Sequence, residues 1–437
     1  MAASLYLLFA FLLSALSTLV VFPWLLYVIM KNETVASLPN KNRVVSFIAS
    51  AVVMPCSIIG ASVVTMVMLE NSIYDFAVKL SIQILGGCLA IFYLVSLLDD
   101  IFGIKSWIRE LFRFAVAISF PLSHVYISNL SGLFGIYELT YLQGSILTVI
   151  FVWFINDVLR LMCRSKLTAM IMLMLLFACF CYMFLQWGLP VYYLGSVSII
   201  GSLSALILCV AYNQEIKFKS IYLCNSASSF LSIFIAYLAV KTSMVEDGVI
   251  STSHDGFALT MVMLFFPCAD AVQSTVASFI RERSIAPANA KRRMMYHKLK
   301  VLFKNEFLVS SILLLVYISF ILIDVLLLYY GMNLSWILLL DVVLFAAFVM
   351  LVSTSKTNEA DDCSVKRILF CDNTLWGLVN FRGDIIDYYV RQGYEVYLVA
   401  PEKEDRQMVV PVPEGVTFIP VAMGRTSTSP LNDLRYF

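Results

Sequence analysis

Two adjacent carboxylates, Asp99 and Asp100, stand at the end of the apolar run "LVSLLDDIFGI", residues 94–104. Paired acids in that position admit two readings. Either they are the solvated rim of a helix, or they hold a divalent cation such as Mg2+, which takes one or two carboxylates together with substrate phosphates. Asp270 lies deep in another apolar stretch, where a charge is costly and commonly functional. Asp324 and Asp341 sit at similar depth in two later stretches and match no motif; their residue type there implies protonation or hydrogen bonding within a helix bundle. The ten cysteines form no CxxC pair and fall mostly in runs such as "FACFCYMF", so they read as small apolar filler. His124 and His254 show no ligand spacing, and His297 stands in a basic loop beside Tyr296.

The elements that position these residues follow from composition. Of 437 residues, 61% are hydrophobic and 14% charged. A soluble domain is about 45–50% apolar and about 25% charged, so the chain is a membrane protein. A helix needs roughly 20 apolar residues to cross a hydrocarbon core. Eleven stretches qualify, near 5–30, 44–68, 79–98, 112–128, 144–163, 167–187, 190–212, 222–240, 257–280, 307–330 and 333–353. The first reads as a membrane helix, because it is too long for a secretory leader and lacks a basic start and a cleavage site.

Lys and Arg are sorted by position. The loops after stretches 1, 3, 5, 7 and 9 hold 3, 3, 3, 2 and 8 of them, the last group running from Arg281 to Lys304. The alternate loops offer only Lys79 and Lys241. By the positive-inside rule the amino terminus lies outside and the carboxyl terminus in the cytoplasm. The sorting explains the basic residues as topology signals and gives no support for nucleic-acid binding, so no nucleic-acid partner is expected. Asp99, Asp100, Asp270 and the basic run "RERSIAPANAKRRMMYHKLK" then share the cytoplasmic side, where the run reads as an anchor on anionic lipid heads or as a grip for phosphate.

After residue 353 the character changes. Residues 354–365 form a polar linker, and 366–437 read as soluble α/β. A strand at Arg367–Cys371, an amphipathic helix at Phe381–Gln392 and a strand at Val396–Ala400 make one βαβ start, short for a nucleotide-binding half.

The first 350 or so residues resemble the polyprenyl-phosphate N-acetylhexosamine-1-phosphate transferases, bacterial membrane enzymes that move a sugar-1-phosphate from a UDP-sugar onto undecaprenyl phosphate. Four segments carry the likeness: "LLDDIFGI", "YNQEIKFKSIYLCNSASSFLSIFIAYLAV", "FFPCADAVQSTVASFIRERS" and "RRMMYHKL". The resemblance implies an all-α polytopic protein of about eleven spans in the bacterial inner membrane. It implies Mg2+ as cofactor at Asp99 and Asp100, with Asn156, Asn225, Ser228 and Asp270 facing substrate. Undecaprenyl phosphate or a lipid-linked sugar, a UDP-sugar, membrane lipids and a second copy of the chain are the implied partners.

The sequence departs from the family pattern where the chemistry is done. In the stretch "NDVLRLMCRSK" Asn156 matches, while Leu159, Met162 and Ser165 replace an Asn and two aspartates. Cys224, Asn225, Ser226, Ala227 and Ser228 stand where the family has Gly-Asp-x-Gly-Ser, and Met294 stands where it has a loop histidine. The family's early Pro-Asn survives as Pro39–Asn40. Mg2+ bridging two phosphates needs anionic oxygens, and a Cβ in place of glycine obstructs phosphate approach to backbone N–H groups. A degraded site is expected.

The carboxyl-terminal fragment resembles the opening of glycosyltransferases built from two Rossmann-like halves, through Asp372–Asn373, Asn380–Phe381–Arg382, Gly393–Val396, Ala400–Pro401 and Phe418–Pro420. In that class the second half grips the sugar nucleotide, so this fragment alone is not expected to catalyse transfer. Two functions follow as expectations, both in lipid-linked surface-polysaccharide assembly: phosphosugar transfer, or a non-catalytic platform that holds a glycosyltransferase beside its lipid-linked acceptor. A transporter, which would line a central path with polar groups, ranks behind both.

Overall fold

A computed structural model describes residues 2–31, 41–69, 76–102, 104–163, 167–212, 222–244, 256–282, 294–303, 305–354, 367–372, 374–391, 394–401 and 416–421. The chain divides into two compact units, Met1–Ser355 and Lys356–Phe437.

The first unit is a helix bundle. Its elements are α1 (Ala2–Met30), α2 (Lys41–Leu69), α3 (Phe76–Phe102), α4 (Ser106–Leu122), a hairpin of β1 (Asn129–Leu133) and β2 (Ile136–Glu138), α5 (Tyr141–Met162), α6 (Leu167–Gln186), α7 (Pro190–Tyr212), α8 (Asn225–Thr242), α9 (Gly256–Glu282), the short α10 (Met295–Leu302), α11 (Glu306–Tyr329) and α12 (Leu334–Thr354). Among the described residues eight helices are long and apolar enough to cross a membrane: α1, α2, α5, α6, α7, α9, α11 and α12. The protein is an all-α, membrane-embedded chain in this unit. Large apolar side chains such as Leu8, Phe9, Leu16, Leu315, Leu322, Val342 and Val343 lie exposed on its outer helices, as lipid contact requires.

Contacts between helix ends give an alternating up-and-down path. At one end, Ser128 Oγ donates to the Ser243 carbonyl and the Phe134 N–H donates to Ser335 Oγ. At the other, the backbone N–H of Cys224 donates to Ser50 Oγ and that of Tyr222 to Ser46 Oγ. Close approach is built in at Gly60, where a Cβ would lie 2.6 Å from the Ser14 Cβ and 2.9 Å from the Ala10 carbonyl oxygen. Only glycine lets α2 meet α1 at that distance.

One stretch corrects the sequence reading. The fourth stretch, expected over 112–128, is a helix that begins at Ser106 and stops at Leu122. Its first turns carry Arg109, Glu110 and Arg113, polar residues that hide the start of the helix from an apolar count. Past Leu122 the backbone turns at His124 (φ 57°) and enters the β1–β2 hairpin, which the sequence reading lacks; Gly132 and Gly135 take φ of 74° and 79° there, a conformation that glycine adopts without strain. The helix α8 falls on the expected stretch 222–240; it opens on Asn225, Ser226, Ser228 and Ser229 yet has every residue buried except Asn225, Phe234 and Lys241. It is wrapped by other helices, chiefly α3 and α5, and Ser229 Oγ accepts from Ser96 Oγ of α3 at 2.9 Å.

The second unit holds β3 (Arg367–Cys371), α13 (Leu375–Arg391), β4 (Glu395–Pro401) and β5 (Val416–Val421). The strands form a parallel sheet in the order β3-β4-β5, with Arg367 opposite Glu395 and Val396 opposite Val416. Leu378 and Ile386 of α13 pack on Val396, Leu398 and Ala400 of β4. The helix starts six residues before the expected Phe381, because Thr374 Oγ1 accepts the Gly377 N–H and caps it. β5 is a strand that the sequence reading did not assign. Residues 355–366, which include nearly all of the expected linker, and Asn373 and Gly393 lie outside the described residues.

Candidate functional site

The end of α3 carries the acid pair to the start of α8. Asp100 sits past the apolar stretch 79–98 and faces the first turn of α8: its Oδ1 accepts the Asn225 N–H at 3.2 Å and its Oδ2 the Ser226 N–H at 2.9 Å. The first N–H groups of a helix have no partner within it and concentrate positive potential, so a carboxylate there satisfies two donors and complements the dipole. Burial pushes the Asp100 carboxyl up from its ordinary value, against the lowering effect of these hydrogen bonds.

Asp99 points to a different partner. Its Oδ2 accepts from Arg109 Nη1 of α4 at 3.0 Å and from the Asn225 amide Nδ2 at 3.1 Å. Both side chains of this ion pair are mostly removed from solvent, 20% exposed for Arg109 and 5% for Asp99. Asn225 in turn accepts from Arg160 Nε of α5 at 3.2 Å through Oδ1. A chain Arg109–Asp99–Asn225–Arg160 therefore ties α4, α3, α8 and α5 together, with an amide between two guanidinium–oxygen contacts. Next to it the buried Arg113 donates to Asp157 at 2.6 Å and pairs with Glu110 at 3.1 Å.

The other expected site residues separate. Ser228 is buried and its hydroxyl donates to the Asn225 carbonyl of its own helix at 3.1 Å. Asn156, one turn before Arg160 on α5, is 1% exposed, and its amide finds no hydrogen-bond partner among the described residues. Asp270 accepts the Met295 N–H at 3.0 Å and so caps α10, the short helix that carries His297; the contacts described do not join it to the acid pair. Met294, where the family has a histidine, is the residue just before α10 and is buried. Pro39–Asn40, Ser165 and residues 283–293 of the basic loop lie outside the described residues.

Arg109 and Arg160 are the members of this network that the sequence reading left out, having counted them only as topology charges. Two signals were available. Arg109 follows Asp99 across the short turn between α3 and α4, and Arg160 stands four residues after Asn156, on the same face of α5.

These residues do not fit Mg2+. The ion demands near-octahedral oxygen ligation at about 2.0–2.1 Å. Here the charge of Asp99 is already matched by a guanidinium, and both oxygens of Asp100 are engaged by backbone N–H groups. Among the described residues no group of three His, Cys, Asp or Glu side chains converges. The arrangement does what internal ion pairs and caps do: it fixes four helix ends in register.

Compared with known proteins, the chain matches no family model and no curated protein.

Proposed function

We propose that this chain is a non-catalytic membrane platform with the outline of a polyprenyl-phosphate N-acetylhexosamine-1-phosphate transferase. In this reading it crosses a bacterial inner membrane eleven times with its amino terminus outside. Its cytoplasmic second unit, the front of a Rossmann-like glycosyltransferase half, is held beside a lipid-linked acceptor during surface-polysaccharide assembly. The observation that supports this reading is the commitment of both acids: Asp99 to Arg109 and Asn225, Asp100 to the start of α8. A transferase needs those oxygens for its cation, and three further ligand positions are Asn225, Met162 and Ser165, none of which carries negative charge.

One observation favours retained transfer instead. Asn156 keeps a buried amide with no partner among the described residues, and a polar group in that state costs about 1–3 kcal/mol unless something binds it. The two readings separate in one experiment. Purified full-length protein is incubated with Mg2+, undecaprenyl phosphate and radiolabelled UDP-N-acetylhexosamines. A platform gives no lipid-linked label from folded protein. Label that disappears in D99N and D100N would establish the enzyme.

A further inference from the structure

The hairpin of α11 and α12 turns at Gly331, with φ of 77°. Asp324 lies five residues before the end of α11 and Asp341 seven after the start of α12. At about 1.5 Å per residue they sit about 8 Å and about 10 Å from the turn, level with each other on antiparallel helices. Both are 0% exposed, although only 33% of the α11 span and 22% of the α12 span lie buried within the bundle.

The layers on either side of the pair are apolar. One turn toward the hairpin, Leu328 and Ile337 pack with Val262 of α9. One turn the other way, Phe320 and Phe345 each lie with ring centroids 5.7 Å from Phe266 of α9. Between the aliphatic and the aromatic layer the two buried carboxyl groups fall at the same level of the hairpin, and none of their four oxygens has a hydrogen-bond partner among the described residues. Among the described residues neither carboxyl takes part in a salt bridge. The nearest phenol along α11, Tyr317, is committed to the Met263 carbonyl at 2.9 Å.

Two ionised carboxylates in such a place would repel without compensation, and a metal ion would lack the remaining ligands it needs. Two carboxylic acids satisfy each other completely. Each O–H donates to the other's carbonyl oxygen, so two donors and two acceptors are used and no charge is buried. We propose that Asp324 and Asp341 form a proton-binding site that takes up two protons from water and closes into a neutral carboxylic-acid dimer, clamping α11 to α12 inside the hydrocarbon. This proposal is independent of the function assigned to the acid pair on α3.

Infrared spectroscopy of the full chain in phosphatidylcholine vesicles at neutral pH, with carbon-13-labelled aspartate, reads the protonation state directly. The expected result is a protonated-carboxyl C=O absorbance in the wild type, with the integrated intensity of two carboxyl groups, that is missing from D324N/D341N and unchanged by added Na+ or Ca2+. The amide pair keeps two hydrogen bonds and so preserves the fold, and D324L/D341L supplies the same subtraction if it does not. The intensity of one protonated carboxyl or none, or a carboxylate signal lost in the variant, would overturn the proposal. Thermal unfolding gives a second readout: D324L and D341L should each lower the midpoint further than D324L/D341L does. Additive effects of the two single changes would contradict the clamp.

Discussion

Arg109 stands where the resemblance calls for a metal ion, and its guanidinium neutralises Asp99 without one. Removing one partner of a buried ion pair leaves an uncompensated charge, at a cost of about 3–5 kcal/mol. R109A should therefore lower the unfolding midpoint markedly in detergent. R109K should recover only part of the loss, because an ammonium lacks the planar fork. R109Q combined with D99N should unfold at a higher temperature than R109A, since the neutral amides bond each other. An R109A midpoint equal to wild type would dissolve the pair as a structural element. At this scale the sequence displayed the acids but not their commitments. Asp99 and Asp100 were legible as a pair, and the losses at Met162, Ser165 and Asn225 were legible as missing charge. What bonds to them was not, because Arg160 and Asn225 are 65 residues apart and meet only through the packing of α5 on α8. Asp324 and Asp341 were visible as costly residues, yet their pairing becomes evident only from their near-equal distances to the Gly331 turn.

Helices in this bundle are fixed by their ends. Asp100 caps α8 from a different helix, a job usually done by the residue just before the first turn; here that residue is Cys224, which makes no side-chain cap. D100A should cost about 1 kcal/mol and should speed amide hydrogen exchange at Asn225 and Ser226 well beyond that at Leu231. Unchanged exchange at those two amides would count against the cap. Gly60→Leu tests the α1–α2 contact: its Cβ would displace the Ala10 carbonyl, so loss of folded protein is expected, whereas replacement at Gly86, with no atom within 4 Å, should be silent. An equal effect at both positions would refute the close approach. The apolar stretches foretold where most helices lie, since hydrophobic length is written in the chain. The β1–β2 hairpin was not foretold, because it depends on left-handed turns and on a tertiary bond from Phe134 to Ser335. α4 was displaced in the reading because its amphipathic first half is polar in composition.

For the molecule as a whole, the sorting of Lys and Arg sets the expected orientation. Reporter fusions after Gln186 and after Thr354 should report opposite sides of the membrane, the latter cytoplasmic; the same side for both would break the alternating path. The composition changes near residue 353, and the chain divides into two compact units after Ser355. Strand β5 was not legible in the sequence, since its pairing with β4 is a tertiary fact. The central claim is that guanidinium and backbone N–H groups already fill the place of a divalent cation at Asp99 and Asp100. Electron paramagnetic resonance of Mn2+ titrated into the purified full-length protein tests it most directly, with Mn2+ standing in for Mg2+. The wild type is expected to leave Mn2+ free in solution, as D99N/D100N does. One Mn2+ bound per chain in the wild type and released by D99N/D100N would contradict the claim.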